Sequence, residues 1–350
     1  MSAPARPAGV LAIDAGNSKT DVALVAPDGR VVGTARGGPF VPHRVGAETA
    51  VRGLAPLVRS VAAEAGLDLD HGPVVQHVAA CLANADLPPE HEALETAIGH
   101  QRWGESSEVF NDTFAVLRAG VDGPRGVAVV CGAGINCSGI AAGREPVRFA
   151  AVGHISGDWG GGGGLWQEAM WWAARAEDGR GPETRLRAEL PRHFGLETMA
   201  GLIEAVHLGR LPEARCLELT PVLFAVATAG DAVAADVVRR QAAEVVALAV
   251  AAMRRLGVLG GEIDREMDQE IDQEIDVVLG GGVLTAGHAL LMDEITRLLH
   301  EQAPLASTTV VRTPPVVGAA LLGLDRIGAP ATARAGLRAG FGSLGTAPVA

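Results

Sequence analysis

Val10-Leu11-Ala12-Ile13-Asp14-Ala15-Gly16-Asn17-Ser18-Lys19-Thr20-Asp21-Val22-Ala23-Leu24-Val25 is the stretch on which the reading of this chain turns. An apolar run ends in an acid. A short turn of small and hydroxylated residues follows, then a second apolar run. The pattern predicts strand, tight turn, strand. Gly16 lets the backbone approach an anion closely. The N–H groups of such a turn, with Ser18, Lys19 and Thr20, suit phosphate oxygens. Asp14, at the strand end, suits the water shell of a Mg²⁺ ion. An ordinary hairpin with a polar turn carries the same signature, so the choice rests on what recurs further along.

The theme recurs about 115 residues later. Val127 to Val130 reads as a buried strand, Gly132-Ala133-Gly134-Ile135-Asn136 as a turn, and Cys137 to Ala141 as the next strand. This duplication predicts two similar α/β domains facing one another. A third glycine turn, Gly280-Gly281-Gly282-Val283, follows the apolar run Val277-Val278-Leu279 and leads into a helix through Leu299. Between them, a short strand Glu108-Val109-Phe110 ends in Asn111-Asp112, and a helix follows over Thr113 to Ala119.

The rest of the chain fills in around these turns. Val10 to Ala35 predicts three strands, with Pro27-Asp28-Gly29 as a turn. Val51, Leu54, Leu57, Val58 and Val61 recur at helical spacing, so Glu48 to Ala65 predicts one amphipathic helix. Val74 to Leu82 is a strand ending in Ala83-Asn84-Ala85-Asp86, and Pro88 to Ile98 a helix. Five adjacent glycines, Gly160 to Gly164, predict a mobile or tightly approached loop before a helix at Leu165 to Ala176. Residues 183–257 are almost all helical in pattern, with Asp231 as N-cap of the long helix to Leu256. Residues 262–276 form a period-four repeat with eight acids and one arginine, either an acidic interaction surface or a solvated repeat expansion. Val316 to Leu324 is a helix entered through Pro314-Pro315.

Composition sets the bounds. At 350 residues the chain predicts two domains. The 46 glycines, about twice the usual share, imply many tight turns. A net charge of −12 argues against nucleic-acid and anionic-membrane partners. Neither a long apolar run nor a secretory h-region is seen, so the expected location is cytoplasmic. Cys81, Cys131, Cys137 and Cys216 form no CxxC pair and read as reduced thiols. His43 and His154 read as structural, and Trp103, Trp166, Trp171 and Trp172 as core packing.

Taken in order, the turns resemble the phosphate-1, connect-1, phosphate-2 and adenosine elements of the actin-like ATPase superfamily. Within it the chain resembles the BadF/BadG/BcrA/BcrD ATPase family, in its N-acetylglucosamine kinase branch. The carrying residues are Asp14 to Asp21 (family DGGGTKTD), Asn111-Asp112, Gly132 to Asn136 (GTGSN), Gly157-Asp158-Trp159-Gly160 (GDEGS) and Gly280-Gly281-Gly282. The resemblance covers about residues 10–325. It implies an α/β fold of two RNase H-like (actin-like ATPase) domains facing across a nucleotide cleft. The N-terminal domain would span 1–115, joined by a C-terminal helix at about 315–350. The second domain would span 116–314, with a helical insertion at about 165–257.

The function implied is ATP-dependent phosphorylation of an amino sugar hydroxyl, most simply N-acetylglucosamine to its 6-phosphate. Asp112 matches the catalytic base; an Asp opening a helix is equally an N-cap. ATP phosphates would meet Asp14, Gly16, Asn17, Ser18, Lys19, Thr20, Gly132, Gly134 and Asn136. The adenosine would rest on Gly280, Gly281 and Gly282. Asn84, Asn111, Gly157 and Asp158 would contact the sugar, though Asp158 also suits a turn-stabilising role. Asp14 would hold Mg²⁺ through water. A homodimer is implied by the resemblance alone.

Several residues depart from the pattern. Ala133 and Ile135 replace the hydroxyl residues of GTGSN, Trp159 replaces the acid beside Asp158, and Val41 stands near the place of a sugar-contacting Asn. Two other readings belong to different classes. One is an ATPase activator of a CoA-thioester dehydratase or reductase, but the Cys-Ala-Ala-Gly-Thr-Gly segment that serves an iron–sulfur cluster there is not found, so no cluster is expected. The other is a non-catalytic sugar sensor, against which the pairing of Asp14 with Asp112 speaks.

Overall fold

The computed structural model describes residues 8–123, 125–259 and 274–344. The chain divides into two compact units, residues 1–124 with 311–350 and residues 125–310.

The first unit opens with β1 (Ala8–Ala15), β2 (Thr20–Val25) and β3 (Val31–Gly37), an antiparallel meander with Ala15 opposite Thr20. Helices α1 (Pro42–Val45), α2 (Ala47–Arg52) and α3 (Ala55–Glu64) follow. Next come β4 (Val75–Leu82), α4 (Pro88–Gln101), β5 (Gly104–Asn111) and α5 (Asp112–Gly120). Strand β4 lies parallel to β1 and β5 parallel to β4, so the sheet runs β3-β2-β1-β4-β5. Alternation along β1 explains its two-sided burial. Leu11 and Ile13 join the core with Val58, Val61, Leu94 and Ile98, and Val10 and Ala12 face the other side.

The second unit repeats the plan. Strands β6 (Gly126–Cys131), β7 (Ile135–Ile140) and β8 (Val147–Arg148) form a meander with Cys131 opposite Ile135. A helical block follows: α6 (Gly161–Glu177), α7 (Leu186–His193), α8 (Met199–His207), α9 (Leu219–Thr228) and α10 (Ala232–Arg255). Then come β9 (Ile275–Gly280), α11 (Gly282–Thr285), α12 (Ala289–Gln302) and β10 (Ala306–Val310). Strand β9 lies parallel to β6 and β10 parallel to β9. Read from β8, the order is β8-β7-β6-β9-β10, the same plan and strand directions as the first sheet. The chain then returns to the first unit as α13 (Pro315–Arg326) and α14 (Ala331–Leu344). Small residues let α13 press on α5: a Cβ at Gly318 would stand 1.8 Å from the carbonyl oxygen of Ala115.

The structure departs from the sequence reading in four places. The helix expected over 48–65 is two, α2 and α3. Gly53 caps the first by donating to Thr49 O at 3.1 Å, and Pro56, which has no N–H, sits in the opening turn of the second. The glycine run is the first turn of α6 rather than a loop, for reasons given below. Strand β9 begins at Ile275, so the end of the acidic repeat is sheet; residues 262–273 of that repeat lie outside the described residues. Trp103 and Trp166 are core residues as expected, but Trp171 is 48% exposed, with Arg175 stacked over its ring. All four cysteines are buried and free. Among the described residues no single helix is long and apolar enough to cross a membrane.

Candidate active site

In the first unit the predicted residues gather at the carboxyl ends of the three parallel strands. The register puts Ala15, Leu82 and Asn111 in one row. Turns leave the sheet there together. Gly16 N–H donates to Lys19 O at 2.8 Å and closes the loop between β1 and β2. The Thr20 hydroxyl donates to Gly38 O at 3.0 Å, and Phe40 N–H to Gly16 O at 2.9 Å, so the loop is tied to the segment after β3. Asn17, Ser18 and Lys19 remain exposed at its tip. Val41, in that same segment, lines an apolar cavity of about 420 Å³ with Phe40, Val45 and Leu54.

The turn after β4 braces both neighbours. Asn84, in the left-handed region at φ 62°, donates through Nδ2 to Asn17 Oδ1 at 3.0 Å. Ala83 N–H donates to Ala15 O at 2.8 Å. On the other side Asn111 Nδ2 donates to Asp86 Oδ1 at 2.7 Å. Asn111 Oδ1 accepts from Thr113 N–H at 3.1 Å and from the Thr113 hydroxyl at 2.6 Å. Asn111 is therefore the N-cap of α5, and at 3% exposure its carboxamide acts within the protein. Asp112, one residue on, is the first residue of α5 and half-buried. Capping thus falls to Asn111 and leaves the Asp112 carboxylate for other work.

Electrostatics single out two acids. Asp14 is 8% exposed, and its carboxyl is pushed up to about 8, first by burial, then by the charges of Asp112 and Asp21; Lys19 pulls the other way. Asp112 is pushed up to about 6 by burial, against backbone N–H groups that favour its charged form. Cys81, in register with Asp14, feels burial first and then both carboxylates, which raise its thiol further. Asp21 has its own cations: Arg36 grips both oxygens at 2.6 and 3.1 Å, and Lys19 Nζ stands 3.3 Å away.

In the second unit the turn Gly132–Asn136 is shaped by α6. Gly162 N–H donates to Gly132 O at 2.7 Å, and Gly163 N–H to Ala133 O at 2.8 Å. A trans peptide points its N–H opposite to its C=O. The Ala133 and Gly134 N–H groups therefore face away from α6, as a pair of backbone donors. This docking explains the glycines. A Cβ at Gly161 would stand 2.4 Å from the Gly134 carbonyl carbon, so a bulkier helix start could not approach. Gly281 likewise has φ +83°, and a Cβ there would stand 2.4 Å from Cys131 O, so the turn after β9 packs against the end of β6. Asn136 Oδ1 accepts from Cys137 N–H at 2.7 Å.

Asp158 is half-buried and accepts a hydrogen bond from Ser156 Oγ, which in turn accepts from Val152 N–H at 3.0 Å. Gly157, at φ 83°, turns the chain into it. Trp159 lies under the Arg240 guanidinium, 3.9 Å from ring centroid to Cζ. Arg240 also faces Glu168 at 3.7 Å. Glu244, one turn along α10 from Arg240, is raised by burial and by Asp158 and lowered by Arg240.

The profile of the BadF/BadG/BcrA/BcrD ATPase family matches residues 11–323. The chain belongs to this family. It is 25% identical over 237 residues to the N-acetylmuramic acid/N-acetylglucosamine kinase of Clostridium acetobutylicum, covering 67% of this chain and 76% of that protein. It is 24% identical over 330 residues to the N-acetyl-D-glucosamine kinase of Dictyostelium discoideum, covering 90% and 97% respectively. Among solved structures it resembles a protein of Chromobacterium violaceum described as an N-acetylglucosamine kinase, with TM-score 0.67 and 20% identity, covering 91% of this chain and 99% of that one. That likeness shows the two-sheet sugar-kinase fold of the actin-like ATPases.

Against the family's motifs, three residues at these loops escape a sequence reading. Asp86 is hidden because a turn acid carries no pattern. Arg240 and Gln241 sit on a helix whose apolar periodicity masks them, although a glutamine in the buried stripe Val237, Val238, Ala242 and Val245 is a visible irregularity.

Proposed function

We propose that this chain is an ATP-dependent amino-sugar kinase that converts N-acetylglucosamine to N-acetylglucosamine 6-phosphate. The observation that carries the reading is Asp112: a half-buried carboxylate at the mouth of α5, relieved of capping by Asn111 and pushed up to about 6, where a general base works near neutral pH. Asp112 accepts the proton of the sugar hydroxyl as that oxygen bonds to the γ-phosphorus and the bond to the ADP oxygen breaks. Asp158 hydrogen-bonds sugar hydroxyls. Gly157 turns the chain into Asp158, Asn84 braces the loop after β1 through Asn17, and Asn111 fixes Asp112.

Phosphates are received by backbone donors. In the first unit the Asn17 and Ser18 N–H groups are offered for phosphate, on a turn that Gly16 closes through Lys19 O. In the second unit the outward Ala133 and Gly134 N–H groups are offered, with Gly132 and Asn136 framing the turn. Lys19 adds positive charge, Thr20 ties the loop down, and Gly280, Gly281 and Gly282 shape the seat of the adenosine. The residues also suit a magnesium ion. Asp14 is crowded by two other carboxylates, a repulsion that a cation relieves. No group of three or more protein ligands stands ready for a bare metal among the described residues. One carboxylate, waters and phosphate oxygens are the usual partners of Mg²⁺ in such a site. When bound, the ion neutralises charge on the β- and γ-phosphates.

The test is ADP release with ATP–Mg²⁺ across N-acetylglucosamine, glucosamine, N-acetylmuramic acid, glucose and mannose, with Asp112→Asn beside the wild type. Sugar-dependent turnover lost in the variant supports the reading. Turnover equal with and without every sugar overturns it and favours an activator ATPase. The proposal extends to a homodimer, tested by light scattering, and to the cytoplasm, where ATP is available.

A further inference from the structure

Gln241 is fully buried in α10. Its Oε1 accepts from Gly161 N–H at 2.9 Å, and its Nε2 has no hydrogen-bond partner among the described residues. Burying a half-satisfied carboxamide is costly, and an apolar residue would pack the stripe at less cost. The carboxamide lies against Gly160, where a Cβ would stand 2.5 Å from Oε1 and 2.8 Å from Nε2, on a backbone at φ +118°. The glycine after Trp159 is thus required by Gln241.

The place of this contact gives it meaning. Asp158 lies two residues before Gly160. The N–H groups of Gly162 and Gly163, just beyond Gly161, hold the carbonyls of Gly132 and Ala133. The Gly160–Gly161 peptide is therefore the joint between the Asp158 loop and the phosphate-2 turn, and Gln241 grips that joint from behind. We propose that Gln241 is a positioning residue that fixes the Asp158 loop and the Gly132–Gly134 turn in one arrangement, so that a single side chain registers sugar and nucleotide together. This rests on the kinase reading above.

The test compares Gln241→Met, Gln241→Glu, Gly160→Ala and Val245→Ala. The readouts are KM for ATP and for N-acetylglucosamine, kcat, melting temperature, and ADP affinity by calorimetry. Gln241→Met is expected to raise both KM values and weaken ADP binding by about fivefold or more, the scale of one lost hydrogen bond. Gln241→Glu keeps an acceptor for Gly161 N–H and is expected to return both KM values to within about twofold. Gly160→Ala both displaces the carboxamide and strains a backbone at φ +118°, so it is expected to raise both KM values at least as far as Gln241→Met, and wild-type KM values in it overturn the inference even if Gln241→Met does not fold. Val245→Ala, a buried neighbour, is expected to lower the melting temperature with both KM values unchanged. Wild-type KM values and ADP affinity in Gln241→Met, or equal KM shifts in Val245→Ala at the same melting loss, overturn the inference. Because ADP binding needs no sugar, a wild type that binds ADP but phosphorylates no sugar sinks the kinase reading alone, and Gln241 is then judged on ADP affinity.

Discussion

Asp14 and Asp112 stand at the carboxyl ends of β1 and β5 with only β4 between them, and the charge of Asp112 helps hold the Asp14 carboxyl up near 8. The two acids differ in role by position. Asp14 stands at the end of a strand beside the Gly16–Lys19 loop, and Asp112 opens a helix whose cap is already supplied. Replacing Asp112 by Asn keeps the shape and removes the proposed base. The expected result is a kcat lower by about 10³-fold, within the usual range for a lost general base, and KM values little changed. Steady-state kinetics on the folded variant checks this.

Acid should silence the enzyme for the same reason. A base pushed up to about 6 is protonated below that pH. The acidic limb of kcat/KM should therefore fall about tenfold per pH unit below about 6. The residual rate of Asp112→Asn should lack this limb. A pH–rate profile for both chains decides the point.

Asp14 makes the opposite demand on stability. Its folded carboxyl binds a proton up to about 8, whereas in the unfolded chain it releases one near 3.8. The folded state therefore holds the extra proton across that window, and stability falls as pH rises through it. Melting curves of the ligand-free wild type should drop between pH 5 and pH 8. Asp14→Asn should follow a flatter course and melt higher at pH 8, while losing nucleotide binding.

Ala133 stands where the GTGSN pattern that this turn resembles has a hydroxyl. The backbone donors of Ala133 and Gly134 face away from α6 whatever the side chain, because the carbonyls of the same peptides, Gly132 O and Ala133 O, are held by the Gly162 and Gly163 N–H groups. Ala133→Ser should therefore change KM for ATP by no more than about threefold, less than one hydrogen bond is worth. A larger gain would mean that the side chain, not the backbone, limits phosphate binding.

Gly281→Ala is predicted to act on the nucleotide alone. Its Cβ would collide with Cys131 O on a backbone at φ +83°, distorting the turn after β9. KM for ATP should rise and KM for the sugar should hold. Equal rises in both would remove the turn from a nucleotide-specific role.

Much of the fold was legible because it is written in short apolar runs followed by turns of small residues. The opening stretch, its echo at 126–140 and the strand before Gly280 are all sheet, in the same order in both units. The glycine run misled because helix propensity speaks only for local cost. The docking of Gly161 on Gly134 offsets that cost and lies 27 positions away in sequence. The α2–α3 break was foreshadowed by Gly53 and Pro56 but masked by an apolar rhythm that continues across it. At the site, Asp14 and Asp112 stand out from position alone, whereas the bracing by Asn84 and Asp86 depends on strands meeting in a register that no local pattern reveals.

The four buried thiols have a practical consequence for watching this enzyme at work. Maleimides find nothing to label on the intact fold, so the rate at which they react counts spontaneous openings of the chain. A single cysteine placed at Ile155, 90% exposed and three residues before Asp158, would then be a unique attachment point for a fluorophore. The native fold, its four thiols buried, is its own unreactive background, and the loop beside the proposed sugar site can be followed in real time as each substrate arrives.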